Sequence, residues 1–153
     1  MQPTPAFTLE DAVALARRAH DGQVDKSGRP YIAHPLRVMR AVDGTRARMA
    51  AVLHDVIEDT GVTEDDLRRA GCPEEVVAAV VALTKRPGEP LATSMARAAA
   101  DPIARVVKRA DIADNCSEQR LALLDEATRT RLRAKYARSL ALLDGRESDG
   151  AAS

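Results

Sequence analysis

His54-Asp55-Val56-Ile57-Glu58-Asp59 follows directly on the apolar run Met49-Ala50-Ala51-Val52-Leu53. The pair decides the fold. Read as the end of one helix, the apolar run predicts burial through the helix middle. Residues four apart share a helix face, so His54 falls beneath Glu58 and Asp55 beneath Asp59. One histidine and three carboxylates therefore arrive together at the edge of a core. Sequestering such groups is costly unless a cation compensates them, and a metal ion is the simplest candidate.

The segments on either side also read as helices. Thr8 with Asp11 forms a capping box with Asp in place of Glu, opening a helix through Ala12, Leu15, Ala16 and Ala19. A loop rich in Gly, Lys and Ser covers 22–30. His34-Pro35 starts a second helix, with proline suited to its first turn, and Asp43-Gly44 ends it. The third runs from about Thr45 through the acidic segment to Thr60-Gly61. Thr63 caps a short helix that stops at Gly71, and Pro73 opens another through Val76, Val77, Val80 and Val81. The valines there suit a strand, but their spacing and the Pro-Glu-Glu start favour a helix. A loop at 85–90, a helix over 91–99, and a helix from the Asp101-Pro102 cap to about Asn115 follow. The last long helix covers 126–143, ahead of a polar tail at 144–153.

At 153 residues the chain is one domain's length, with its core expected over 8–143. Phe7, Tyr31 and Tyr136 are the only aromatics, so the core is built from Ala, Val and Leu, a composition for closely packed helices. The expected fold class is all-α, a compact multi-helix bundle. Lys and Arg number 23 and so do Asp and Glu, which leaves no net field to attract nucleic acid. No apolar run approaches the roughly 20 residues of a membrane helix, and Met1-Gln2-Pro3-Thr4-Pro5 lacks the apolar stretch of a secretory signal. Cys72 and Cys116 show no CxxC spacing and read as reduced thiols. A cytoplasmic protein without nucleic-acid or membrane partners is expected, and a homo-oligomer is compatible with the sequence.

Three further stretches gain meaning beside His54 and Asp55. They are His20-Asp21-Gly22-Gln23, the loop Lys26-Ser27-Gly28 leading into Tyr31-Ile32-Ala33-His34-Pro35, and Lys108-Arg109-Ala110-Asp111-Ile112-Ala113-Asp114-Asn115. In the order H-x-G-Q, K-S-G-x-P-Y-I-x-H-P, H-D-x-x-E-D, K-x-A-D-x-x-x-N, the chain resembles the HD superfamily of metal-dependent phosphohydrolases. Within it, the resemblance is closest to the hydrolase domain of RelA/SpoT-type stringent-response enzymes and their small single-domain relatives. It runs from about Ala16 to Leu121.

That resemblance implies an HD-domain bundle in which His34, His54, Asp55 and Asp111 bind one divalent cation, usually manganese. Two imidazoles and two carboxylates with open positions for water suit such an ion, which would lower the pKa of a bound water near neutral pH. It implies that Glu58 and Asp59 orient that water, one of them moving a proton to the leaving alkoxide. It assigns Asn115 to the substrate sugar, and Lys26 and Ser27 to the loop holding nucleobase and phosphate. Lys108, one turn before Asp111, reads as supporting the site's charge balance. The implied reaction removes diphosphate from the 3′ position of ppGpp or a related nucleotide.

The chain departs from that pattern twice. The arginine that commonly precedes the loop lysine, and stacks on guanine, is Asp25 here; an anion supplies no guanidinium stacking and repels phosphate. The Arg-Thr pair that follows the asparagine in the long enzymes is replaced by Ser117 and Glu118, the basic group arriving at Arg120, a substrate-binding candidate. The metal and acid/base half is thus retained while purine recognition is altered. The expected function is metal-dependent hydrolysis of a ppGpp-type nucleotide. The alternatives are another nucleotide or phosphoester, such as ppApp, a binding sensor without turnover, and a structural helical protein needing no metal.

Taken singly, other residues read more plainly. His20 is a packing or supporting histidine, and Lys85-Arg86 a solvated loop. Arg97, Arg105 and Arg109 are solvent-facing helix charges. Asp114 is a polar residue at a helix end, off the Asp111 stripe. Tyr136 is a core or interface aromatic, and Met39, Met49 and Met95 fill the core.

Overall fold

The computed structural model describes residues 6–145. The expectations for Met1 to Pro5 and for most of the polar tail fall outside this range. Among the described residues the structure is all-α, with one isolated antiparallel bridge between Val24 and Pro30 pinning the first loop. The helices are α1 (Leu9–Ala19), α2 (Ala33–Arg40), α3 (Thr45–Leu53), α4 (Val56–Asp59), α5 (Glu64–Arg69), α6 (Glu74–Leu83), α7 (Leu91–Ala100), α8 (Pro102–Asn115), α9 (Glu118–Leu121) and α10 (Glu126–Leu143). The caps anticipated at Thr8, Thr63 and Asp101 are present: each side chain accepts the backbone N–H three residues on. No helix among the described residues is long and apolar enough to cross a membrane.

The buried run Met49–Leu53 makes α3 the axis of the domain, enclosed by α1, α2, α6 and α8. Ala50 and Ala51 let neighbouring backbones approach, while Val52 and Leu53 fill the space against Ala16, Val38, Val76, Val80 and Val107. Each fully buried Val or Leu adds on the order of 1.5–3 kcal/mol of transfer free energy. A second, smaller layer seats α10 on α7 and α8 through Ala92, Met95 and Leu142, and through Ala98, Ile112 and Leu143. The cleft described below opens between these two layers.

Three features differ from the sequence reading. The single helix expected over 45–60 is two, because α3 ends at Leu53 and α4 starts at Val56. Buried His54 donates from Nδ1 to the Ala51 carbonyl at 2.6 Å, which closes α3, and Asp55 turns the chain with φ −106° and ψ 0°. His54 and Glu58 are therefore not stacked on a continuous helix, although Asp59 N–H still donates to the Asp55 carbonyl at 2.9 Å. A short helix, α9, occupies ground left without an element. Arg97 is not solvent-facing: its guanidinium pairs with Glu89 and donates to the carbonyls of Ala82 (3.3 Å) and Thr84 (2.8 Å), clamping the loop before α7.

Candidate metal centre and substrate cleft

The first turn of α2, the break after α3 and the last turn of α8 converge at one point. His34 follows the turn made by its own N–H to the Tyr31 carbonyl at 3.0 Å, and lies at the start of α2 beside Pro35. His54 is delivered by the break, and Asp111 by the buried face of α8. These three are 2%, 3% and 6% exposed, and each offers one ligand atom within 4.8 Å of the others. Asp111 Oδ1 is 2.8 Å from His34 Nε2 and 3.3 Å from His54 Nε2. Asp55 stands beside the triple, its Oδ2 at 3.0 Å from His54 Nε2 and accepting a hydrogen bond from the Tyr31 hydroxyl.

The donor set fits a divalent cation. Both imidazoles use Nδ1 to donate outward, His54 to the Ala51 carbonyl and His34 to Asp114 Oδ2 at 2.6 Å. That fixes the tautomer and turns both Nε2 atoms inward, the usual support for a metal-bound histidine. His54 Nε2 is buried with no hydrogen-bond partner, although two carboxylate oxygens lie within 3.3 Å. Oxygens and an orphaned nitrogen crowded together without hydrogen-bond geometry are the arrangement of ligands to a common ion.

Electrostatics hold the cluster charged. Burial acts to raise the Asp111 carboxyl, but the Lys108 ammonium beside it, together with the two imidazoles, brings it well below the ordinary range. Burial acts to lower the His54 imidazole, and the Asp55 and Asp111 charges outweigh it and raise it. Lys108 Nζ donates to Asp111 Oδ2 at 3.0 Å and Asn115 Nδ2 to Oδ1 at 3.1 Å. Asp59 moves the other way: burial, then the neighbouring Asp55 and Glu58 charges, raise its carboxyl. Glu58 accepts the Lys85 backbone N–H at 2.7 Å, which pins it to the next loop.

A cleft of about 410 Å³ opens over this cluster. Its size suits a small molecule. The candidate ligand, catalytic and substrate-binding residues all line it: Lys26, Ser27, His34, His54, Asp55, Glu58, Asp59, Asp111, Asn115 and Arg120. Tyr136 lines it as well, half-buried, rather than sitting wholly in a core or interface. His20 does not line the cleft. It is buried against Tyr31 with ring centroids 5.0 Å apart, and its Nδ1 pairs with Gln23 Oε1 at 2.8 Å. Gln23 in turn donates to the Asp59 carbonyl at 2.9 Å.

Asp114 is the residue that sequence reasoning missed. Besides orienting His34, it accepts from Arg37 (2.8 Å to Oδ1, 3.2 Å to Oδ2) and from Arg120 (3.2 Å). Because His34 Nδ1 already donates to Asp114, the nearby Arg120 guanidinium is held by Asp114 and Asn115 Oδ1 (2.7 Å), not by the ring. The signal was available: Asp111 and Asp114 are three apart, a spacing that places both on one side of a helix. Asp25 also needs correction. Its carboxylate accepts from Ser27 N (2.9 Å), Ser27 Oγ (2.6 Å) and Arg29 N (3.0 Å), and lies 3.8 Å from Arg120. The charge is used to shape the loop, whose Gly28 takes φ +84°, and to anchor Arg120; it is not a bare anion opposing phosphate.

Comparison with known proteins agrees with this geometry. Over 63 residues the chain is 48% identical to the guanosine-3′,5′-bis(diphosphate) 3′-pyrophosphohydrolase of Vibrio cholerae, a stretch covering 39% of this chain and 9% of that protein. Over 65 residues it is 45% identical to the bifunctional (p)ppGpp synthase/hydrolase SpoT of Escherichia coli, covering 40% and 9%. The GTP pyrophosphokinase of Streptomyces coelicolor is 45% identical over 65 residues, covering 40% and 8%. The matched stretch thus spans less than a tenth of these relatives' length. In fold, the chain is similar to a solved structure of a metazoan ortholog of SpoT that hydrolyzes ppGpp and plays a role in starvation responses. The TM-score is 0.76 at 23% identity, over 94% of this chain and 89% of that one. Residues 12–97, more than half of the chain and including His34, His54, Asp55, Glu58 and Asp59, match the family described as HD domain. This protein belongs to the HD domain family.

Proposed function

We propose that the chain is a manganese-dependent, cytoplasmic phosphohydrolase that removes diphosphate from the 3′ position of a ppGpp-type nucleotide. The observation that carries this reading is the meeting of His34, His54 and Asp111 ligand atoms within 4.8 Å, in a cleft also lined by Glu58 and Asp59. The relatives named for the same reaction support the choice of substrate.

In the reaction, water adds to the phosphorus bonded to O3′, the P–O3′ bond breaks, and O3′ takes a proton as diphosphate departs. His34, His54, Asp55 and Asp111 would hold the cation, which when bound supplies Lewis acidity and an activated water. Asp114 and the Ala51 carbonyl keep both imidazoles in the ligating tautomer. Tyr31 holds Asp55 through its hydroxyl. Glu58, pinned by the Lys85 N–H, orients the water. Asp59, whose carboxyl is raised by burial and by its acidic neighbours, carries the proton to O3′. Asn115, Lys26 and Ser27 contact sugar, phosphate and base, and Arg120 braces the wall they stand on. With its charge balanced, the protein takes a free nucleotide rather than nucleic acid.

Purified protein supplied with Mn²⁺ is expected to convert ppGpp to GDP and diphosphate, with pppGpp, ppApp and a simple phosphodiester as comparators. Asp55→Ala and His54→Ala should abolish turnover. Product formation by Asp55→Ala at the wild-type rate overturns the mechanism, and turnover of the phosphodiester alone overturns the substrate.

A further inference from the structure

Four lysines line the cleft. Lys26 reaches it from the loop after α1, Lys85 from the loop after α6, Lys108 from α8 and Lys135 from α10. Lys108 is already neutralised by Asp111 at 3.0 Å, and Arg120 by Asp114 and Asp25. Among the described residues no carboxylate is paired with the ammonium groups of Lys26, Lys85 or Lys135. Three exposed lysines from three separate elements thus border one cavity without counter-ions.

Lys135 is the informative member. Leu132, Lys135, Tyr136 and Ser139 recur at helical spacing, so one face of α10 forms a wall of the cleft. That wall belongs to the smaller layer, in which α10 packs on α7 and α8. Burial and then the charges of Lys26, Lys85 and Lys108 push the Lys135 ammonium below its ordinary range. Mutual repulsion of this kind is relieved when a polyanion bridges the lysines.

We infer that Lys135, with Lys26 and Lys85, binds the phosphate groups of the substrate that are not cleaved, making α10 a specificity element for nucleotides phosphorylated at both ends. The inference rests on the proposed phosphohydrolase reading and adds a second anchoring point to it. Lys135 acts on binding: among the described residues it is neither a member of the metal-ligand cluster nor paired with Glu58 or Asp59, so its removal weakens the complex and leaves the chemical step in place.

The test compares wild type, Lys135→Ala, Lys135→Glu and Lys135→Arg on ppGpp and on the same nucleoside with a 3′-diphosphate but a free 5′-hydroxyl. Lys135→Ala is expected to raise KM for ppGpp about tenfold, the loss falling on KM rather than kcat, with little effect on the 5′-unphosphorylated substrate. Lys135→Glu should be worse and Lys135→Arg should recover most of the affinity. An unchanged KM for ppGpp, a fall confined to kcat, or equal losses on both substrates overturns the inference. Calorimetric titration with inorganic pyrophosphate separates it from the proposed activity. If the Mn²⁺-loaded wild type hydrolyses neither nucleotide, the proposed activity falls. The anion site then stands if Lys135→Ala binds pyrophosphate about tenfold more weakly than wild type, and is overturned if both bind equally.

Discussion

Replacing Asp114 by alanine tests whether the metal centre depends on a residue that touches no substrate. Asp114 accepts from His34 Nδ1 at 2.6 Å and gathers two guanidiniums, Arg37 at 2.8 Å and Arg120 at 3.2 Å. Its carboxyl is held well below the usual range: burial opposes ionisation, and the hydrogen bonds from His34 and Arg37 outweigh it. Without it His34 loses the acceptor that fixes its tautomer, and Nε2 is no longer aimed with certainty at Asp111. Partners of this kind typically contribute about 10–100-fold to metal affinity, which is about 1.4–2.7 kcal/mol. Asp114→Asn should fall between, because the amide keeps one oxygen to accept from His34 but loses the charge and puts an NH2 donor where Oδ1 accepts from Arg37. Arg37→Ala leaves the His34–Asp114 bond in place and should shift affinity no more than about threefold, Arg37 being the more exposed partner. The assay is calorimetric titration of Mn²⁺ into each variant, with a melting curve to confirm folding. Wild-type Mn²⁺ affinity in a folded Asp114→Ala protein would refute the reasoning.

Three other outcomes are expected. Saturating Mn²⁺ at about 100 times its Kd should stabilise the wild type by about 2.7 kcal/mol in a thermal melt, and His54→Ala should abolish the shift. Leu53→Ala, at a fully buried site on the axis helix beneath the cluster, should cost about 2–5 kcal/mol by denaturant unfolding. Glu89 is held at about 2, below the 4.5 of a free glutamate, chiefly by hydrogen bonds from Arg97. Because the folded value is the lower one, its stabilisation is complete above pH 4.5 and drains away as pH falls through about 2. Melting temperatures of wild type and Glu89→Gln measured from pH 6 to pH 2 should therefore converge at the acid end, and parallel curves would dismiss the pair.

Much of the helix order was legible in local chemistry. Thr8, Thr63 and Asp101 each mark a helix start because a side-chain oxygen must satisfy an N–H that the helix leaves bare, a requirement read over three residues. The break after Leu53 was not legible. Nothing in Leu53-His54-Asp55-Val56 is a helix breaker. The turn exists because His54 is buried and its Nδ1 takes the Ala51 carbonyl. Arg97 was misread for a similar reason: its partners, Glu89 and the carbonyls of Ala82 and Thr84, are set by how the loop after α6 returns.

Local chemistry specified that the chain is helical, that residues 49–53 are buried, and which ligand types it carries, since capping and burial periodicity are short-range properties. Which of those groups meet depends on long-range packing. His34 and Asp111 are 77 residues apart and touch at 2.8 Å. Asp114 closes on His34 from 80 residues away, and Lys135 comes to the cleft from the last helix. Such encounters are set by the packing of α2, α8 and α10 around α3. Side-chain spacing along one segment carries no information about which distant segment will lie against it.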